Sequence, residues 1–292
     1  MNNGFERIGL IGKYGAPAVG DTLRRLIAFL QARSLKITLD ASVVEHLPDT
    51  SLAWVERPQL AEHCDLVIVV GGDGTILNAG RSLADAGVPL VGVNLGRLGF
   101  LADVSPDHMT DQLGRILAGE YDREDRSLLH ASVHRGGETV SVSDALNDVV
   151  IHKWDIARMI ELEVRIDGRV LNRQRSDGLI VATPTGSTAY ALSGGGPILH
   201  PSLDAMVLVP ICPHSLNNRP IVINEASEVE VIVQAGDYTQ AQITCDGQVN
   251  FALLPGDCVR IHKKPRDLML IHPPGYDYFE ILRRKFGWGQ SS

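Results

Sequence analysis

Residues Asp65 to Leu77 read DLVIVVGGDGTIL. Leu66 to Val70 form an apolar run that stops at Gly71-Gly72. Val67, Ile68, Val69 and Val70 are too continuous for a strand with one wet face. They predict a central parallel strand buried on both faces. In open α/β sheets, ligands bind outside the carboxyl ends of the strands, so Asp73 sits where chemistry is usually placed. Gly71, Gly72 and Gly74 let backbone N–H groups approach a bulky anion with no Cβ in the way. The turn also reads as an ordinary strand-to-helix connection with Asp73 exposed or capping. It is not G-x-G-x-x-G, so the dinucleotide fingerprint of a dehydrogenase is absent here. It is not a P-loop either, because no lysine follows the glycines.

Outward from this stretch the first 120 or so residues alternate strand and helix. Glu6 to Ile11 reads as a strand, Lys13-Tyr14-Gly15 as a loop, and Asp21 to Ala32 as a helix with Leu23, Leu26, Ile27 and Leu30 inward. Leu35 to Leu39 is a second strand. Leu52 to Cys64 is expected to be partly helical and broken near Pro58. Thr75 to Ala86 is a helix ended by Gly87 and Pro89, and Leu90 to Asn94 is the next strand. Leu95 to Asp103 is a glycine-containing loop. Ser105-Pro106 predicts a helix start, running to about Ala118 and stopping at Gly119. Such alternation is the signature of a parallel sheet with helices on both faces.

From Leu128 the period changes. Leu129 to His134 alternates, Gly136-Gly137 predicts a hairpin turn, and Thr139 to Val142 resumes. Further β-rich runs are Asp148 to His152, Ile160 to Ile166, Leu179 to Ala182, Met206 to Ile211, Ile221 to Ile223, Val229 to Gln234, Ala241 to Thr244 and Cys258 to His262. Asp167-Gly168, Gly236-Asp237, Asp246-Gly247 and Pro255-Gly256-Asp257 separate many of them as turns. This pattern predicts an antiparallel, sandwich-like second domain. Tyr278 to Phe286 reads as a final helix that must cover an apolar face, and the first domain offers one.

The chain has 292 residues, 44% hydrophobic and 21% charged, enough for two domains with large cores. Its net charge of −8 argues against nucleic-acid or anionic-membrane binding, which needs a basic footprint. No signal peptide and no membrane span of roughly 20 apolar residues is expected, which suits a cytoplasmic protein. Cys64, Cys212, Cys245 and Cys258 form no C-x-x-C and no zinc-finger spacing, so reduced thiols are expected and no metal site.

Three further stretches carry chemistry. Asn147-Asp148 places an amide beside a carboxylate at a strand start, suited to two neighbouring sugar hydroxyls or equally to a plain turn. Arg173 to Gly178 (RQRSDG) could serve phosphate and an amide, or be a solvated strand end. Thr183 to Ser193, followed by Gly194-Gly195-Gly196-Pro197, is dense in hydroxyls and glycines that can wrap a phosphate or nucleoside. Ser187 is a conceivable nucleophile, but G-x-S-x-G is absent. His130 and His134 fall in a predicted strand, where residues four apart lie roughly 13 Å from each other, too far to share a metal. His152, His200, His214 and His272 read as structural.

Taken together, VVGGDGT (69–75), GVNLGRLGFL (92–101), ALNDVVIH (145–152), RSDGLIVATPTGSTAYALSGGGPI (175–198) and TCDGQ (244–248) resemble the bacterial NAD kinases, in family order and over nearly the whole chain. The GGDG turn is shared with diacylglycerol and sphingosine kinases; the 175–198 run is the specific part. The resemblance implies ATP-dependent phosphorylation of the 2′-hydroxyl of the adenosine ribose of NAD, with Mg²⁺ travelling with ATP. It implies a Rossmann-like domain over residues 1–122, a β-sandwich domain over 123–272, and a helix over 273–292 returning to the first domain. It also implies a homotetramer or homodimer. Asp73 is the implied proton acceptor. Gly71, Gly72, Gly74 and Thr75 would cradle ATP phosphates, and Asp73 and Gly74 would also touch NAD. Asn147 and Asp148 would hold ribose hydroxyls. Arg158, Arg175, Asp177, Thr188, Ala189, Tyr190, Ala191, Leu192, Ser193 and Gln248 match positions lining the NAD site. Position 148 is Asp where many members carry Glu, a carboxylate one methylene shorter.

Three rival readings fit less of the sequence. A lipid kinase would share the GGDGT turn but not the 175–198 run. A non-catalytic NAD-binding regulator would be expected to lack Asp73 or its glycines. A dehydrogenase would need the missing fingerprint.

Overall fold

The computed structural model describes residues 4–15, 17–96, 99–154, 158–234 and 240–289. It divides into two compact units, residues 1–125 with 268–292, and residues 126–267. The first opens with β1 (Arg7–Gly12), α1 (Pro17–Gln31), β2 (Lys36–Asp40), α2 (Ala41–Val44), β3 (Trp54–Val55), α3 (Arg57–His63) and β4 (Leu66–Gly71). Then come α4 (Asp73–Leu83), β5 (Leu90–Asn94), α5 (Met109–Leu117) and β6 (Asp122–Arg126). All six residues of β4 are buried, as the unbroken apolar run demands. Val19, Leu23, Leu26 and Leu30 of α1 and Met109, Leu113 and Ile116 of α5 share one core with Ile8, Leu10, Ile68, Val70 and Val91. On the opposite face, Leu60 of α3 packs against Gly9 and Ile76 of α4 against Gly92. Helices therefore cover both faces of the sheet.

Two local expectations need correction. Pro58 sits in the first turn of α3 and starts that helix instead of breaking it. Helix α5 begins at Met109, not at Ser105-Pro106. Ser105 Oγ accepts from the Asp107 N–H at 3.3 Å, closing a local turn that delays the helix by one turn.

Among its described residues the second unit holds twelve strands: β7 (Leu129–Arg135), β8 (Glu138–Ala145), β9 (Asp148–Lys153), β10 (Ile160–Ile166), β11 (Arg169–Ser176), β12 (Gly178–Ala182), β13 (Ala205–Ile211), β14 (Ile221–Asn224), β15 (Val229–Val233), β16 (Ala241–Cys245), β17 (Val249–Leu253) and β18 (Cys258–Lys263). They form two six-stranded sheets, β11-β10-β15-β18-β7-β8 and β14-β13-β12-β9-β16-β17. Among the described residues their neighbouring strands pair antiparallel. Their inner faces share one apolar core, to which Val133, Leu162, Val231 and Ile261 come from one sheet and Val149, Ile151, Val181 and Leu208 from the other. The short helix α6 (Tyr190–Ser193) and the segment after it cover the outer face of the second sheet. Ala191 and Leu199 bury Val150, Ile180, Ala182, Val207 and Val209 there. The expected turn at Gly236-Asp237 lies outside the described residues, as does all but Gly289 of the polar tail.

The chain then returns to the first unit with β19 (Leu268–His272) and α7 (Tyr278–Phe286). Leu270 of β19 pairs with Leu90 in parallel, completing the order β3-β2-β1-β4-β5-β19-β6. Helix α7 is the final helix expected from sequence, and it packs on its own unit: Tyr278 and Phe286 lie 6.5 and 6.1 Å from Phe100, ring centre to ring centre. The expected boundaries move accordingly. Residues 123–125 stay with the first sheet, and the return begins at 268 with a strand, not at 273 with the helix. Among the described residues no helix is long and apolar enough to cross a membrane.

Candidate functional site

In the first unit the strand order reverses direction between β1 and β4, the topological switch point where doubly wound sheets bind ligands. The GGDGT turn leaves β4 at that point. The Lys13 N–H donates to Val70 O at 2.9 Å, so an exposed lysine opens the loop alongside. Sequence reading passed over Lys13 because nothing in its spacing relates it to the turn. Gly72 precedes α4 and has open space where a Cβ would lie. Gly71 is buried, and a Cβ there would meet Thr75 Oγ1 at 2.4 Å. The Thr75 N–H donates to Gly72 O at 2.9 Å. This corrects one expectation: that amide serves the first helical turn and is already paired. Asp73 stands in the first turn of α4, where a negative charge suits the helix dipole. Its Oδ2 accepts from Phe100 N–H at 2.8 Å, and its Oδ1 from Leu101 and Ala102 N–H at 3.0 and 3.2 Å. A Cβ on Gly99 would lie 2.1 Å from Asp73 Oδ1, so the LGRLGFL glycine is what lets the loop close on the carboxylate. Arg97 and Leu98 of that motif lie outside the described residues.

In the second unit the two-residue period of β9 points Val149 and Ile151 into the sandwich core and Asp148, Val150 and His152 to the outer face. There Asn147, Asp148, Val150, His152, Ala189, Tyr190, Thr244, Asp246 and Gly247 line a cleft of about 320 Å³. The cleft thus unites Asn147-Asp148 with Ala189-Tyr190, from two separate sequence stretches. Tyr190 is 47% exposed and offers a ring face at the rim. Asp246, read from sequence only as a turn residue, organises the site. Its carboxylate accepts from the N–H groups of Leu146, Asn147 and Asp148 at 3.0, 2.7 and 3.2 Å. It holds this place on a left-handed backbone, φ 51°. Asp148 is buried; that burial first, and the nearby charge of Asp246 second, push its carboxyl up to about 7. His152 was read as structural. Its Nε2 meets Thr244 Oγ1 and Gln242 Nε2 at 3.1 and 2.9 Å, and the ring still lines the cleft.

The hydroxyl-rich run is largely engaged with itself and with its neighbours. Thr183 Oγ1 donates to Leu146 O at 2.6 Å, and Thr183 N–H donates to Asn147 O at 2.9 Å. Ser187 is fully buried; its Oγ donates to Pro184 O at 2.6 Å and accepts from Leu199 N–H at 2.9 Å, a structural role and not a nucleophile's. Thr188 Oγ1 donates to Thr185 O at 3.2 Å. A Cβ on Gly186 would lie 2.0 Å from Asn147 O, so this glycine is the seat on which the Asn147 backbone rests. The Ala191 side chain is buried in the apolar cover of the sheet, which corrects its expected place against a ligand. Leu192 is half-buried and Ser193 exposed.

The remaining candidates are spread over the unit. Arg173 pairs with the buried Glu163 at 2.6 Å on strand β11, a structural use of a residue that sequence left open. Arg175 is exposed and lies 3.3 Å from Glu161. Asp177 pairs with Lys153 at 2.6 Å. Arg158 and Gln248 are exposed, and neither is among the residues lining the cleft.

No group of three or more His, Cys, Asp or Glu among the described residues could hold a metal. Mg²⁺ does not require one, since it keeps several waters and binds through one or two carboxylates plus substrate phosphates. Asp73, with three of its roughly four acceptor sites taken, fits such an ion arriving with a nucleotide and not a resident one.

A family model of the ATP-NAD kinase N-terminal domain matches residues 8–121, and one of the C-terminal domain matches residues 146–273. The chain is 50% identical to an NAD kinase of Pseudomonas putida (strain W619) over 285 residues, 98% of this chain and 96% of the relative. It is 51% identical to an NAD kinase of Pseudomonas aeruginosa (strain LESB58), over 98% of this chain and 97% of that one. Among solved structures, an NAD kinase from Archaeoglobus fulgidus in complex with ATP aligns with TM-score 0.72 at 27% identity, covering 96% of this chain and 97% of that one. Yeast NADH kinase complexed with NADH shares the fold, with TM-score 0.91 at 23% identity, covering 99% of this chain and 89% of that one.

Proposed function

The chain belongs to the ATP-NAD kinase family, and from that premise we propose that it transfers the γ-phosphoryl group of ATP to the 2′-hydroxyl of the adenosine ribose of NAD, giving NADP and ADP. The observation that carries the reading on this chain's own residues is the cleft of the second unit. It presents an amide and a carboxylate from adjacent residues, with an aromatic ring in the same lining, to a sugar-bearing ligand.

Asn147 and Asp148 hold ribose hydroxyls, and Tyr190 and Ala189 lie against a base. The ionised form of Asp148 accepts hydrogen bonds from two hydroxyls, whereas the neutral form accepts less well. Gly72 and the start of α4 receive ATP phosphates, where backbone N–H groups and the helix dipole favour anions. In the transfer, O2′ bonds to the γ-phosphorus as the bridge to the β-phosphate breaks and ADP leaves. The hydroxyl proton moves to Asp73. Little proton transfer is needed early in a loose transition state, so orientation of the hydroxyl is the larger part of Asp73's task. Three backbone donors on its carboxylate support that emphasis, since they fix its direction and stabilise its charge. Mg²⁺ arriving with ATP would supply charge neutralisation on the transferring phosphates. The family's cytoplasmic location and assembly as a homodimer or homotetramer are part of the same proposal.

Purified protein incubated with Mg-ATP and NAD tests the reading. NADP should accumulate, read by an NADP-specific dehydrogenase, and its absence from folded protein would overturn it.

A further inference from the structure

His272 ends β19 with 1% of its surface exposed, the last residue before the turn into α7. Its Nδ1 lies 3.0 Å from Asp103 Oδ2, and its Nε2 lies 3.2 Å from Glu124 Oε2. Its ring stacks on Tyr276 at 3.8 Å and 17°. Asp122 faces the same turn, accepting from the Gly275 and Tyr276 N–H groups at 2.8 and 3.1 Å. An ionised carboxylate can only accept, so two of them on opposite ring nitrogens call for two N–H donors, which only the imidazolium has. Burial alone would disfavour that cation. The bonds to Asp103 and Glu124 outweigh it and raise the imidazole above its usual range.

Asp103 directly follows the three residues whose amides hold Asp73. The segment beyond is fixed to β5 by Val104 N–H to Gly92 O at 3.1 Å and Asn94 N–H to Val104 O at 2.8 Å. The Phe100–Ala102 loop therefore hangs between Asp73 on one side and, on the other, buried His272 with its two half-buried carboxylates. We infer that His272 is a positioning residue for the transfer: clamped between Asp103 and Glu124, it sets the loop whose amides aim the Asp73 carboxylate. This rests on the proposed role of Asp73. The folding and catalytic consequences share a sign. His272 gives its full contribution below its unfolded pKa of about 6.5, and loses it as pH rises through the higher folded value.

The test compares wild type, His272→Gln, Glu124→Gln and Asp73→Asn as full chains. Wild-type kcat should fall as pH rises through the raised folded pKa of the imidazole. His272→Gln should lower kcat at pH 7 about tenfold, leave the KM for NAD and for ATP within about twofold, and flatten that alkaline fall. A loss of 1.4 kcal/mol is one such tenfold step. The backbone amide resonances of Phe100, Leu101 and Ala102 should move in His272→Gln, and in wild type should follow the imidazole titration. Glu124→Gln keeps an acceptor but removes one of the two negative charges that hold the cation, so it should shift the alkaline fall to lower pH. It carries the test if His272→Gln does not fold. Wild-type kcat, pH profile and loop amides in the histidine variant, or an unmoved alkaline fall in Glu124→Gln, overturn the inference. If Asp73→Asn is inactive while these variants behave as wild type, only this inference fails. If Asp73→Asn turns over normally, the reading of Asp73 fails instead.

Discussion

Asp73 and Asp148 are two carboxylates in opposite settings. Asp73 is half-buried and met by three backbone donors, whereas Asp148 is buried beside another acid. For Asp73 the expected outcome of Asn substitution is a kcat at least about 100-fold lower, within the range for a lost acid–base group. NAD affinity, measured by calorimetry, should change little; near-normal turnover would remove Asp73 from the catalytic role. For Asp148 the sign follows from its raised pKa. A raised carboxyl favours folding with its proton on, so its contribution is lost as pH climbs from the unfolded value near 3.8 to the folded value of about 7. Asp148→Asn has no charge to bury, so its Tm advantage over wild type should grow across that window and level off above it. NAD binding should run the other way. The KM for NAD of the wild type should fall between pH 6 and 8 as the carboxylate forms, while the Asn variant stays flat and weaker. A Tm difference equal at pH 4 and pH 8 would contradict the account. A residue that costs stability at the pH where it binds best is what a ligand site, and not a core, is expected to hold.

At the scale of elements, the sequence was most legible where burial repeats a pattern. The run Leu66 to Val70, the β-rich run Asp148 to His152 and the final helix Tyr278 to Phe286 lie within a residue of where the sequence puts them. What was illegible depends on partners. Pro58 both starts and breaks helices, and only the chain before it decides which. Leu268 to His272 is a short apolar run that either sheet could have taken; its pairing with β5 is tertiary information. The sequence points to ligand binding by the hydroxyls of Thr183 to Ser193, yet those of Thr183, Ser187 and Thr188 stitch the run to its neighbours and to itself. Its glycine at 186 matters as a seat for the Asn147 backbone. Gly186→Ala should therefore displace Asn147-Asp148, raise the KM for NAD at least about tenfold and leave the KM for ATP near its wild-type value. Overpacking of this kind should cost about 1–3 kcal/mol of stability in denaturant unfolding. An unchanged KM for NAD would show that the seat is not needed. Asp246 was missed because its side chain works through three backbone amides a hundred residues away, a relation no spacing rule encodes.

For the whole molecule, composition bounded the class and the motifs named the family. A chain of net charge −8 that handles anionic nucleotides must do so with local donors. The open backbone at Gly72, the α4 N-terminus and the exposed Lys13 are such donors in the first unit. The second unit brings a cleft with no lysine or arginine among the described residues that line it, suited to the sugar and base of a ligand. These complementary chemistries are what a phosphoryl transfer from one nucleotide to the ribose of another requires. The most direct measurement offers ATP labelled in the γ-phosphate, with Mg²⁺, to NAD and a diacylglycerol side by side, and identifies the labelled product. The account predicts label on NAD alone, located at the 2′-position of the adenosine ribose. Label on the lipid, at another hydroxyl of NAD, or on neither acceptor would contradict it.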